Sequence, residues 1–306
     1  MAANVTQTVI DGAPGNAIVL AGTGLTPGPN AIVTLANQGV TAKPGISQHT
    51  LTIPATFASD GTSVSFLLPD GITTNTLTVT ANDGTSDQVE LHVHSQYVQA
   101  SEYATAGEGW DLSSLAPGEL DIILRRASAR VDTILSSSLR LLQQVEQHKY
   151  RAPRNSAPPR LFPWRVRGRT CPIVSVDQLT FVSAYDLVTT FAITDTYVNN
   201  SEGYIEILAY AVGNYALLGA LQVIGYSANV FELTLTTGYK HTGYPSAVVD
   251  ATIMIASAML EYRNAMRLGL GGLKSVGKDL PVSQGKFVIP DEARRILRPY
   301  INMTVS

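Results

Sequence analysis

The sequence predicts an α+β protein in which an all-β module precedes a helical domain interrupted by strands. Three observations carry that expectation. Residues 8–94 alternate apolar and polar side chains in short runs, with turn signals about every ten residues and no helical period. Two later stretches place apolar residues at steps of three and four, the spacing of one helix face. Charge divides the chain in the same place: residues 1–94 hold one basic residue, Lys43, against six acidic ones, while the remainder is slightly basic.

In the N-terminal module the runs Ala17–Ala21, Ala31–Ala36, Thr50–Ile53, Ser63–Leu67, Thr76–Ala81 and Gln88–Val93 are rich in Val, Ile, Leu and Thr. Pro14-Gly15, Pro27-Gly28-Pro29, Asp60-Gly61, Asp70-Gly71 and Asp83-Gly84 separate them, and Asp-Gly pairs tolerate the positive φ of tight turns. Short strands at this spacing predict an immunoglobulin-like β-sandwich over residues 1–94. Gly22-Thr23-Gly24-Leu25 and the Thr76–Ala81 strand resemble the transcription-factor-type immunoglobulin modules of many unrelated proteins, a likeness that speaks to fold rather than role. His92 and His94 alternate on one strand, where a metal would need a third ligand such as His49; a solvated strand face is the expected reading, and no metal is predicted.

At 306 residues the chain is long enough for two domains with real cores. Only 15% of residues are charged, so much of the surface is covered by small polar residues or buried against partner subunits. The single Cys171 excludes an intrachain disulfide, and its apolar strand-like setting predicts a buried, inert thiol. The start MAANVTQTVIDG has neither a basic nor an apolar stretch, so no signal peptide is expected, and no apolar run is long enough to span a membrane.

Residues 95–116 lack periodicity and read as a linker, with Trp110 capping a neighbouring core. A first helix is predicted over 117–148. Pro117 opens it, Glu119 and Asp121 suit its N-terminal dipole, and Leu120, Ile123, Leu124, Ala127, Val131, Ile134 and Leu135 form one stripe. Ser136-Ser137-Ser138 loosens it before Leu139–His148 continues it. Lys149, Arg151, Arg154, Arg160, Arg165, Arg167 and Arg169 follow with no acidic residue among them, and prolines keep this loop extended. It reads as a solvated basic loop, or as one facing phosphates or an acidic protein surface without base specificity. Strand signals return over 170–236, in Pro172–Phe181, Val188–Ile193, Gly203–Ala209, Ala220–Tyr226 and Glu232–Thr236. A second helix over 245–268 carries the stripe Val248, Ala251, Ile255, Met259 and Tyr262, broadened by Val249, Ile253, Ala256 and Leu260 until its apolar arc demands cover on more than one side. Residues 273–289 are expected to be irregular, and Pro290-Asp291-Glu292 starts a short helix ending before Pro299.

This order, helix, basic loop, β insert, helix and short terminal helix, resembles the phage head–tail connector (adaptor) proteins. The resemblance rests on Glu119-Leu120-Asp121, on the strand Cys171-Pro172-Ile173-Val174-Ser175-Val176, and on Leu235-Thr236-Thr237-Gly238-Tyr239. It rests also on the helix from Pro245 to Arg263 and the close from Ile289 to Tyr300. It covers residues 117–306 as a helical adaptor domain, with the sandwich as an added module. The resemblance implies a homo-oligomeric ring, typically twelve-fold, in the virion neck beneath the portal and above tail, stopper or terminator proteins, assembled in the host cytoplasm. It implies a bore passing double-stranded DNA without sequence specificity. It implies portal docking through residues 285–306, with Ile289, Ile296, Leu297 and Tyr300 buried against the portal. Whether Lys149, Arg151, Arg154, Arg160, Arg165, Arg167 and Arg169 face DNA or a neighbouring subunit stays open.

Two other function classes compete with this one. A surface or carbohydrate-binding module built on the sandwich would need exposed aromatics, yet residues 1–94 contain only Phe57 and Phe66. An enzyme would need a site, and the chain holds no GxSxG, HExxH, phosphate loop or paired carboxylates. No catalytic residue, cofactor or metal ligand is predicted.

Overall fold

The computed structural model describes residues 2–37, 49–106, 112–149, 164–168, 172–182, 188–191, 196–199, 203–207, 230–267, 282–283 and 286–301. They form two compact units: the N-terminal strands with all the helices, and Leu141–Gly238.

In the N-terminal module β1 (Asn4–Val5), β3 (Ala17–Thr23), β7 (Ser63–Leu67) and β6 (Ala55–Phe57) form one sheet in that order. β2 (Val9–Gly12), β9 (Ser86–Val93), β8 (Asn75–Thr80), β4 (Ile32–Asn37) and β5 (His49–Ile53) form the other. Pairing is antiparallel except between β2 and β9. The first strand thus splits between the sheets, and the order matches the four-plus-many layout of an immunoglobulin-like sandwich. Alternation sets the core: Ile18, Leu20, Val64 and Phe66 of one sheet face Val33, Leu35, Leu77, Val79, Val89 and Leu91 of the other. Gly61, Gly71 and Gly84 of the three Asp-Gly turns sit at φ 69°, 82° and 82°, as the sequence predicts. β1 lies so close on β3 that a Cβ on Gly22 would stand 2.3 Å from the Asn4 carbonyl oxygen.

Four helices share a second core: α1 (Ala100–Ala106), α2 (Glu119–Leu135), α3 (Ser246–Arg267) and α4 (Asp291–Ile301). Ile123, Leu124, Ala127, Val131 and Leu135 of α2 meet Val248, Ala251, Ile255, Ala256 and Leu260 of α3, with Ala293 and Leu297 of α4 against both. The wide arc of α3 is met on several sides, by α2, by α4, and by Tyr103 of α1, whose hydroxyl lies 2.8 Å from the Ser257 hydroxyl. Glu119 ties the start of α2 to α3: one oxygen accepts the Ala116 amide at 3.0 Å and the other meets Arg263 at 2.5 Å. No helix among the described residues is long and apolar enough to cross a membrane.

The second unit is built on β10 (Leu142–Lys149), β16 (Val230–Thr237), β12 (Ile173–Val182) and β13 (Val188–Phe191), antiparallel in that order. A smaller antiparallel sheet holds β11 (Trp164–Arg167), β15 (Tyr204–Ile207) and β14 (Thr196–Asn199). A short hairpin, β17 (Val282–Ser283) with β18 (Lys286–Phe287), precedes α4.

Four elements depart from the sequence expectation. The stretch expected to be a linker contains α1 and a 3-10 turn at Leu112–Ser114, and buries Tyr97, Val98 and Tyr103 in the helical core. The first helix stops at Leu135 rather than His148, because Ser136 turns left-handed (φ 58°) and closes it. Residues 142–149 then pair with β16 as a strand, so the β insert begins about thirty residues earlier than its expected start at 170. The terminal helix runs through Pro299 to Ile301 instead of ending before it. Trp110, Cys171 and the expected strand Ala220–Tyr226 lie outside the described residues.

Candidate functional site

α4 carries three of the residues expected to dock, and Ile289 lies just ahead of it. Its first turn holds Asp291 and Glu292, and Glu292 grips Arg295 through two bonds at 2.9 and 2.5 Å. Leu297 is wholly buried in the chain's own helical core, so its apolar side chain has a partner without any portal. Ile289 and Tyr300 pack part-buried against that same core, while Ile296 is half-exposed beside the exposed Arg294, Arg295 and Arg298. Of the four residues that the resemblance assigns to docking, Leu297, Ile289 and Tyr300 thus pack within the chain itself.

The basic residues divide. Lys149 ends β10 opposite Val230. Arg165 and Arg167 lie on β11, paired in register with Glu206 and Tyr204 of β15. Arg151, Arg154, Arg160 and Arg169 lie outside the described residues. Arg165 and Arg167 thus share one strand, and Lys149 stands on another.

The most concentrated electrostatics lie elsewhere, where the sandwich meets the helices. His241, just ahead of α3, receives the β7–β8 turn: its backbone amide donates to Asp70 Oδ1 at 3.0 Å, and its Nδ1 lies 2.9 Å from Asp70 Oδ2. Gly15 packs on that ring so closely that a Cβ there would stand 2.4 Å from it. Arg125 of α2 reaches Asp11 of β2 at 2.9 Å, and Asn16 Nδ2 donates to Gln96 Oε1 at 3.2 Å. His92 is exposed and contacts Glu90 at 2.8 Å, whereas His94 turns inward, and burial beside the Arg125 charge pushes its pKa down to about 4. His92 and His94 therefore sit in different surroundings, and no group of three or more potential ligands stands ready for a metal among the described residues.

Behind this seam lies a buried polar network. The Tyr97 hydroxyl donates to Asp132 and accepts from the Leu139 amide at 2.9 Å. The Tyr97 ring stands edge-on to Tyr244, with centroids 4.8 Å apart. Burial raises the pKa of Asp132 and of both tyrosines and lowers that of Arg140, whose charge interacts with Asp132. Arg140 Nη1 and the Tyr244 hydroxyl are buried with no hydrogen-bond partner among the described residues. Such a network specifies geometry, because stranding any one member is costly. Sequence reasoning missed it entirely; Tyr97 and Asp132 are far apart in the chain, and no spacing joins them.

Comparison with known proteins adds little to this geometry. No family model matches the chain, and no curated protein matches it. Among solved structures, a chimeric titin Z1Z2-Z1Z2 tandem functionalised with a GRGDS exogenous peptide from fibronectin is 15% identical and covers 31% of this chain and 50% of its own, at a TM-score of 0.18. The Bacteroides ovatus mixed-linkage glucan utilization locus SGBP-B, in complex with a mixed-linkage heptasaccharide, is 10% identical and covers 76% and 52%, at 0.20. The chain spans about half the length of either structure, and scores this low carry no argument.

Proposed function

We propose that this chain is a structural assembly protein, a head–tail connector that forms a homo-oligomeric ring beneath a phage portal and leaves a bore for DNA. One observation supports the reading most. α2, α3 and α4 close on one core while the entire β insert leaves after α2 and returns before α3. The sequence resemblance rests on a similar run of helix, β insert, helix and short terminal helix, although strand β10 here precedes the basic stretch. A twelve-fold ring in the virion neck, with tail, stopper or terminator proteins below it, follows from the same resemblance. A low charge fraction fits a subunit that buries surface against its neighbours.

In this reading α4 meets the portal through Ile296 and its exposed arginines, since Leu297 is committed to the chain's own core. Deleting residues 286–306 would remove Ala293 and Leu297 from that core, so a point variant is the sharper test. Ile296→Asp should abolish co-sedimentation with portal-bearing heads while the circular dichroism spectrum and Tm stay those of wild type. Undiminished co-sedimentation of a folded Ile296→Asp would remove α4 from docking.

The sugar-binding alternative loses ground. Phe66 is buried in the sandwich core and Phe57 packs part-buried against it, so neither offers a free ring to a sugar.

A further inference from the structure

Among the described residues, the charges of the sandwich gather at its ends and along one margin. Asp60 and Asp83 sit at hairpin tips, where each accepts the amide and hydroxyl of the threonine two residues on. Asp70 is taken by His241, and Asp87 accepts the Val5 amide at 2.7 Å. Glu90, His92 and Asp11 share the β2–β9 margin, with Asp11 in register with His92. The strands β1, β3, β7 and β6 contain no charged residue at all. On the opposite side β4 and β8 contain none either, and β5 holds only His49 at its start.

Alternation turns Ala17, Val19, Ala21, Ser65, Leu67 and Thr56 outward from the four-stranded sheet. Leu67 is 64% exposed and Val19 62%. They are diagonal neighbours, since Leu67 pairs with Ala17 and Val19 with Ser65. Outward from the other sheet, Thr52, Thr34 and Thr78 make one row across β5, β4 and β8, and Ile32 stands opposite Thr80. Those side chains are short, and they offer methyl groups and hydroxyls.

We propose that sandwiches of neighbouring copies of this chain pack head to tail, the β1-β3-β7-β6 face of one on the β8-β4-β5 face of the next. The proposal rests on the ring reading above and names a surface by which the copies meet. With one basic residue against six acidic ones, sandwiches repel one another wherever charge faces charge. These two faces let them meet without it, and Leu67 and Val19 then leave water for the threonine methyls and Ile32. The faces look in opposite directions, because the two sheets stack with their core between them. A contact between opposite faces leaves a free face on either side and repeats around a ring, whereas a face pairing with itself stops at two copies. At about 4.8 Å between strands and about 3.3 Å per residue, each face spans on the order of 300 Å². Two of them bury roughly 600 Å² together, below the ~1,200 Å² of a stable pair. The contact therefore adds to others within a ring and does not hold two subunits by itself.

The test is cross-linking of the full-length protein in its assembled form, alone or on the portal, with Cys171→Ser to remove the native thiol. One chain carries Leu67→Cys and a second Thr34→Cys, and neither position is buried. A short bis-maleimide should join the mixed chains into covalent pairs, while either chain alone gives none. A chain carrying both substitutions should give a ladder of multimers. Ser59→Cys, at an exposed hairpin tip, should join to neither. Val19→Asp with Leu67→Asp should keep the wild-type circular dichroism spectrum, yet raise the concentration at which rings form by about tenfold or more. Should that double variant unfold, Leu67→Asp alone carries this arm. Rings of wild-type mass that give no Leu67–Thr34 cross-link, and that form as readily from the folded Asp variant, would overturn the contact and leave the ring reading standing. Self-linking of Leu67→Cys alone would overturn the head-to-tail arrangement. A chain that stays monomeric, alone and with the portal, would overturn this contact together with the ring reading.

Discussion

The Tyr97 hydroxyl is held from two sides, donating to the Asp132 carboxylate of α2 and accepting the Leu139 amide at 2.9 Å. One phenol thereby satisfies a buried carboxylate and a buried backbone donor at the point where the chain leaves α2. Tyr97→Phe keeps the ring and its edge contact with Tyr244 but strands the Leu139 amide and leaves Asp132 to the Ser95 hydroxyl. It should cost about 2–3 kcal/mol, read as a lower midpoint of urea unfolding. A change within a few tenths of a kcal/mol would mean that water replaces the hydroxyl at no cost.

Asp132 also gives stability a pH dependence. Burial is the leading cause of its raised pKa, so the folded chain holds this proton to higher pH than the unfolded chain does. Its contribution therefore falls as pH rises from the ordinary carboxylate value of about 4 through the raised folded value, and the full penalty applies above it. Asp132→Asn, which keeps an acceptor for Tyr97, should flatten the fall of Tm across that window. A wild-type slope in the variant would assign the dependence to another group.

His94 works in the opposite direction. Its folded pKa is pushed down to about 4, chiefly by burial, so the unfolded chain binds a proton there first. Stability should fall as pH drops from about 6.5 to about 4, and His94→Asn should lose less Tm over that interval than wild type. Equal losses would show that His94 is solvated and ordinary.

Gly15 and Gly71 make a matched pair. Both hold positive φ, 84° and 82°, yet a Cβ on Gly15 meets the His241 ring at 2.4 Å, while one on Gly71 meets nothing within 4 Å. Gly71→Ala should cost about 1 kcal/mol of backbone strain. Gly15→Ala should cost at least about 1 kcal/mol more, because the His241 ring is pinned by Asp70 and cannot yield freely. Equal midpoints for the two variants would mean that the ring moves aside.

Leu297→Ala should lower stability by about 2–5 kcal/mol, the range for a large side chain removed from a packed core. Ile296→Ala, half-exposed, should cost well under half of that. If the two costs were equal, α4 would not be packed on α2 and α3 as described.

Much of the fold is legible in the sequence where local chemistry decides it. Asp60-Gly61, Asp70-Gly71 and Asp83-Gly84 mark turns because only a residue without a Cβ sits easily at φ near 80°. The strands between them follow from simple alternation. α3 is legible because its apolar arc is long and uninterrupted. Residues 142–149, LQQVEQHK, mislead because Leu, Gln, Glu and Lys favour helix on their own; pairing with β16 overrides that preference. In α4 an apolar stripe announces burial without saying against what, and Leu297 turns to the chain's own core. The seam was invisible, because Asp70 and His241 stand 171 residues apart and neither belongs to a motif.

The central claim is assembly, and the mass of the purified chain in solution tests it most directly. Light scattering should return one defined multiple of 32.6 kDa, near twelve, either for the protein alone or once the portal protein is added. A mass that stays at 32.6 kDa, alone and with the portal, would contradict the connector reading.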